Sequence, residues 1–227
     1  MLTIRCRLMQ VVFDTSSIAS IIASLLSGVL AVYLIRFWFR QESRLLTDLP
    51  LMFGIAFIAH ALNQSMVLFQ GSGYFEVTLQ MFRIRALIVG GIALPLVGVV
   101  LHIWLPRISK FHIRIIGLVA AYWVSVVFLG PFQDTIMLLH LPVIVVLMGG
   151  MIVTFAVTWK IGRLKEVRSD LMVFSSVLSL VGQLTLVSFA ALGLGIASST
   201  IAVIATLCAT LGLVNPWYTE PTPVSPI

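Results

Sequence analysis

The side chains with the widest chemical range in this sequence are four histidines, His60, His102, His112 and His140. A neutral imidazole can serve as an axial ligand to haem iron. Two of them facing each other across a helical bundle would hold a b-type haem. His60 and His140 are expected near one side of such a bundle, and His102 and His112 near the other. A place among lipid headgroups is the simpler account of His102 and His112. Separate interhelical hydrogen bonds are the simpler account of His60 and His140. A b haem on His60 and His140 therefore stands as an alternative expectation.

The neighbourhood of His60 carries more polar groups. The stretch AHALNQS puts His60, Asn63 and Gln64 on one face at helical spacing. Gln183 is expected at a comparable depth on another helix. Arg83 and Arg85 are two residues apart, so on a helix they point to nearly opposite sides. One can face a bundle interior while the other reaches the headgroups. The spacing predicts a polar ligand pocket lined by His60, Asn63, Gln64, Arg83, His140 and Gln183. The competing reading is that these groups act as hydrogen-bond glue between helices, at about 0.6–2 kcal/mol per contact.

Other chemistry is poorly supplied. No Ser-His-Asp or His-Glu-His spacing occurs, and no glycine-rich phosphate loop is present. An enzyme is thus the weaker class, and no catalytic residue is assigned. The two cysteines, Cys6 and Cys208, make neither a disulfide framework nor a metal-ligand motif. The last apolar stretch contains no lysine, which excludes a retinal Schiff base there.

The elements that must position these residues follow from composition. Of 227 residues, 60% are hydrophobic and 10% charged; soluble domains are about half apolar and about a quarter charged. An all-α integral membrane protein is expected, and soluble or nucleic-acid-binding classes are disfavoured. A span needs about 20 apolar residues. Seven stretches qualify, at about 17–39, 49–69, 82–105, 112–130, 135–159, 171–193 and 197–215. They make a single seven-helix membrane domain with an uncleaved first span. The segments RFWFRQESRLLTD, PRISKFHIR and WKIGRLKEVRSD hold ten of the fourteen basic residues. The positive-inside rule then puts those loops and the C-terminus in the cytoplasm and the N-terminus outside. The net charge of +6 is thereby a matter of topology. A multi-pass protein of the cell membrane, with the lipid bilayer as its first partner, is the expected localisation.

Shifting the chain by 122 residues lays spans one to three over five to seven. Gly28 meets Gly150, Asp48 meets Asp170, Gly71 and Gly73 meet Gly193 and Gly195, Thr78 meets Thr200, and Gly90 meets Gly212. This register describes a parallel 3+1+3 repeat, a pattern of carriers and receptors. Similar starts and stops in any two helical hairpins would produce the same matches. Serines 175, 176 and 179 and glycines 149 and 150 suit close helix packing. Pro95 and Pro142 are expected to kink spans three and five.

The stretch FRIRALIVGGIALPLVGVVLHIW (Phe82 to Trp104), together with HALNQS, resembles the seven-helix membrane sensor domains that precede histidine kinases. The resemblance implies a receptor- or sensor-like protein binding a small or lipidic ligand from outside. With no kinase or other effector expected after the seventh span, a signal would be expected to pass to a separate cytoplasmic or membrane partner. Two alternatives remain, a small-molecule carrier using the 3+1+3 repeat, and a haem-bearing or structural subunit of a membrane complex.

Overall fold

The computed structural model of the chain describes residues 15–41, 48–71, 74–76, 78–162, 167–191 and 195–216; the side chains of residues 15, 16, 183–191 and 195–199 fall outside that description. Among the described residues every regular element is helical. In chain order they are α1 (Thr15–Arg40), α2 (Leu49–Gly71), α3 (Leu79–Trp104), a 3₁₀ turn (Pro106–Ile108), α4 (Ser109–Leu129), α5 (Gln133–Ile161), α6 (Ser169–Ala191) and α7 (Gly195–Val214). Helices α1 to α5, with the 3₁₀ turn leading into α4, are long and apolar enough to cross a membrane; α6 and α7 add shorter apolar stretches, Ser169–Gly182 and Thr200–Val214.

Local chemistry sets the ends. The Thr78 hydroxyl accepts from the Met81 N–H at 3.2 Å and caps α3, satisfying one of the unpaired donors of a first turn. Pro106 opens the 3₁₀ turn behind α3, where a missing N–H costs nothing. His112 Nε2 lies 2.9 Å from the Leu105 carbonyl and ties α4 back to that turn. Gly162 ends α5 in the left-handed region at φ 66°, a conformation open to glycine without a Cβ penalty. Pro95 and Pro142 sit inside α3 and α5, and both helices continue through them.

Small residues let the helices approach. Ser24 donates to the Ala61 carbonyl at 3.1 Å and lies 3.0 Å from the Ser65 hydroxyl, joining α1 to α2. Ser175 donates to the Ala205 carbonyl at 2.7 Å and joins α6 to α7. Trp104 Nε1 donates to Thr154 Oγ1 at 2.6 Å and joins α3 to α5. Between them lies a core that includes Leu30, Leu34, Phe53, Val99, Trp123, Val127 and Phe155. The outward faces are apolar as well. Leu118, Val146 and Leu129 are 72%, 76% and 81% exposed, a distribution that a water-facing surface does not sustain over a whole bundle.

The packing order is cyclic. Helix α1 packs on α2 and α7, α2 on α3, α3 on α5, α5 on α6, and α6 on α7; among the described residues α4 packs only on α3, α5 and the 3₁₀ turn. Six helices thus close a ring, and α4 stands outside it on the α3–α5 edge. In this order α1 lies across from α5, α2 from α6, and α3 from α7.

Candidate functional site

The ring encloses a cavity of about 460 Å³, with lining residues drawn from α1, α2, α3, α5, α6 and α7 and none from α4. Each wall is a helical stripe. On α2 it is Phe53, Ala56, Phe57, His60, Asn63, Gln64 and Val67; on α3 it is Arg85, Val89, Ile92 and Leu96. Spacings of three and four keep such residues on one face. At 1.5 Å per residue, the α2 stripe from Phe53 to Val67 runs for about 21 Å.

Polarity changes along that length. Asn63, Gln64 and Arg85 gather toward the end that holds the α2–α3 turn. Arg85 Nε donates to Asn63 Oδ1 at 3.0 Å. Halfway down, His60 Nε2 lies 3.4 Å from Thr206 Oγ1. Thr206 spends its proton on the Ala202 carbonyl at 2.8 Å, so the imidazole nitrogen is the donor of that contact. Toward the α3–α4 end the walls become Phe53, Leu96, Met148, Met151 and Met172.

His60, Asn63 and Gln64 line this cavity together. Arg83 and His140 do not. Arg83 Nη2 donates to the Gly130 carbonyl at 3.1 Å, at the end of α4. The arginine on the cavity is Arg85, where the sequence pointed to Arg83. Two residues along a helix are about 200° of rotation, so turning one inward turns the other away. His140 stacks on Trp123 at 3.9 Å between ring centroids, and its Nε2 lies 3.2 Å from the Trp123 carbonyl. Trp123 Nε1 in turn donates to the Ala86 carbonyl at 2.9 Å. His140 is therefore part of an α3–α4–α5 joint and is not brought opposite His60, and the two imidazoles form no facing pair. Gln183 lies on α6, and its side chain is outside the described residues.

Sequence reasoning misses several lining groups. With Arg83 turned inward, the spacing sends Arg85 to the headgroups. Ser175, Ser176 and Ser179 suit close packing, yet with Met172 and Gly182 they form the α6 wall. Their spacing (172, 175, 176, 179, 182) is the available signal. Thr206 repeats it on α7 with Ala202, Ala205 and Ala209. Among the described residues no three His, Cys, Asp or Glu side chains come together as metal ligands. The cavity's chemistry is hydrogen bonding from one charged and a few neutral groups above an apolar chamber. Comparison with protein-family models, with curated proteins and with solved structures found no match to this chain.

Proposed function

We propose that the chain is a seven-span membrane protein, N-terminus outside and C-terminus cytoplasmic, that binds a small or lipidic ligand in the axial cavity from the outer side, as a receptor or sensor does. The observation that carries this reading is the graded cavity itself, with Asn63, Gln64 and Arg85 at one end and apolar walls below. Ligand sites combine mostly apolar walls with a few placed polar groups. The basic side chains Arg36, Arg40, Arg107, Lys110, Arg114, Lys160 and Arg168 belong to the opposite, α3–α4 end. The positive-inside rule then assigns the polar mouth to the outside. The basic end is also the surface a cytoplasmic partner protein would meet.

A carrier is the second reading, and the cyclic packing order favours it. A half-turn of the ring takes α1 to α5, α2 to α6 and α3 to α7, the same pairing as the 122-residue shift. Carriers built from parallel repeats place their site on such an axis. Labelling with a small membrane-impermeant thiol reagent, in a Cys6→Ser, Cys208→Ser background, tests both. A receptor is expected to label at Gln64→Cys from outside only, and Met172→Cys from neither side until the protein is unfolded. Labelling of Met172→Cys from the cytoplasmic side would favour the carrier. Failure of Gln64→Cys to label from outside would remove the outward site.

A further inference from the structure

We propose that the axial cavity takes a single-chain anionic amphiphile, of the fatty-acid type, with its charged head on Arg85 and its chain along the α2–α3–α5 wall. This rests on the reading of the cavity as a ligand site and specifies what the site recognises.

The first ground is the state of Arg85. A guanidinium carries five N–H donors. Here one of them, on Nε, donates to Asn63 Oδ1, and among the described residues no acceptor takes the other four. No carboxylate of a described residue comes within ion-pair distance of it; Arg168 bonds to Asp170 far along the chain, at the start of α6. A half-buried cation among apolar helices is costly unless a counter-charge meets it. Intramembrane charges of this kind pair with a partner or mark a ligand path. Among the described residues the chain supplies no partner, and an anionic group on a ligand would meet this cation. A carboxylate suits this guanidinium because it accepts two parallel N–H bonds from it.

The second ground is the company Arg85 keeps. The Asn63 carbonyl oxygen is already used by Arg85, which leaves the Asn63 amide as a donor. Gln64 adds an amide at the same end of the cavity. This end is therefore rich in donors and has spent one of its acceptors, the polarity that an anion needs and that a cation or a neutral amine does not.

The third ground is what lies below. Along α3 the cavity side of Arg85 continues as Val89, Ile92 and Leu96, four, seven and eleven residues further on, or about 6–16 Å deeper. Phe53 and Phe57 on α2 and Met148 and Met151 on α5 face the same space. Methionines adapt their shape to an irregular chain. Two of the hydroxyls on the other wall are spent on backbone: Ser175 donates to Ala205 and Thr206 to Ala202. The space of about 460 Å³ equals about fifteen waters at liquid density, each taking about 30 Å³. Water there would meet few partners, whereas an alkyl chain would meet apolar atoms along most of its length.

The test uses the full chain in nanodiscs of zwitterionic lipid, with empty nanodiscs as the blank for partitioning. Titration calorimetry compares dodecanoate, dodecanol, dodecyltrimethylammonium and acetate. Saturable binding of dodecanoate is expected, with the alcohol and the cation weaker by about tenfold or more, because bonds to a charged partner are worth roughly that factor. Arg85→Gln is expected to weaken dodecanoate by a similar factor, and Lys160→Gln, at the opposite end of the bundle and outside the cavity lining, to leave it within about twofold. Because Arg85→Gln can also disturb folding, Ile92→Trp provides a second variant: it plugs the chain path, leaves Arg85 in place, and is expected to abolish binding. Equal affinity for dodecanol, or for the cation, would overturn the anionic head. Equal affinity for acetate would overturn the chain. If none of the four binds while Gln64→Cys still labels from outside, the amphiphile is wrong and the outward site stands. If none binds and Gln64→Cys is unreactive, both fall.

Discussion

Gly90 is where the joint that holds the site can be challenged most directly. A Cβ at this position would lie 2.8 Å from Trp123 Nε1 and 3.0 Å from Trp123 Cδ1. The indole has little room to retreat. Its Nε1 donates to the Ala86 carbonyl at 2.9 Å, its face is stacked on His140 with 13° between the ring planes, and it is 2% exposed. In a helix interior, Gly→Ala alone gains about 1 kcal/mol. Forcing a methyl into a packed joint costs about 1–3 kcal/mol, and stretching the indole bond removes about 0.5–1.5 kcal/mol more. The clash wins, so Gly90→Ala is expected to destabilise by about 0.5–3.5 kcal/mol. Gly149→Ala, with nothing within 4 Å of its added Cβ, should be neutral or gain up to about 1 kcal/mol. Equilibrium unfolding by SDS in mixed micelles reads both. In a Trp123→Phe background, which removes the indole nitrogen, the Gly90→Ala penalty should shrink, since neighbours that share a contact are not additive. A Gly90→Ala protein as stable as the parent, or an unchanged penalty in the Trp123→Phe background, would refute the reasoning.

Three further outcomes are expected. Arg83→Gln loses the charged bond to the Gly130 carbonyl and should cost about 1.5–3 kcal/mol in the same unfolding measurement; no change would mean that Arg83 does not anchor the end of α4. Cysteines introduced at Gln133 and Glu76 should react with an impermeant thiol reagent in intact cells, and those at Arg107 and Lys160 only after permeabilisation; the reverse pattern would invert the topology. Protein incubated with b-type haem should show no bis-histidine spectrum, because His140 Nε2 is held at the Trp123 carbonyl; a Soret band lost in both His60→Ala and His140→Ala would restore that pairing.

The helical character of the chain was legible because long apolar runs leave backbone groups no other partner. Thr78, Pro106 and Gly130 punctuate those runs where α3 begins, where α3 stops and where α4 stops. That His60, Asn63 and Gln64 share a side of α2 was legible too, since a spacing of three and four fixes which residues lie together. The rotation of each helix about its axis was not. Arg83 and Arg85 could be seen to diverge, but which one turns inward depends on what α3 packs against. Gly90 on Trp123 and Arg83 on Gly130 hold that orientation, and both are contacts between residues 33 or 47 apart in the chain. His140 shows the same limit. Its partner Trp123 belongs to another helix, and no spacing within α5 announces a ring stack. The serines of α6 were ambiguous in principle, because a small polar residue serves close packing and cavity walls equally well.

The ring is even-handed in packing and one-sided in chemistry. In the 122-residue register His60 stands against Gly182 and Arg85 against Leu207. The charged and amide groups described at the mouth come from α2 and α3, and α1 adds the Ser20 hydroxyl. The halves facing them offer serines, a threonine and small residues. Repeats can share a frame long after their binding groups diverge, and a divergence of this kind bears on mechanism. A ligand shifts a conformational equilibrium only by as much as it binds one state better than the other. With the head fixed to α2–α3 and the chain lying against α5, the ligand bridges the two halves of the ring, α1–α3 and α5–α7. Any motion of one half against the other then changes how much of the chain stays covered while the head stays bound. At about 25 cal/mol per Å² of apolar surface, uncovering about 60 Å² of a chain is worth about 1.5 kcal/mol, roughly a tenfold shift between two states. That suffices for a sensor whose output is a population change. A carrier needs more: the head must let go of Arg85 to leave on the other side, and the described cavity lining at the Met172 end holds no second cation, the basic side chains of that end lying outside the lining.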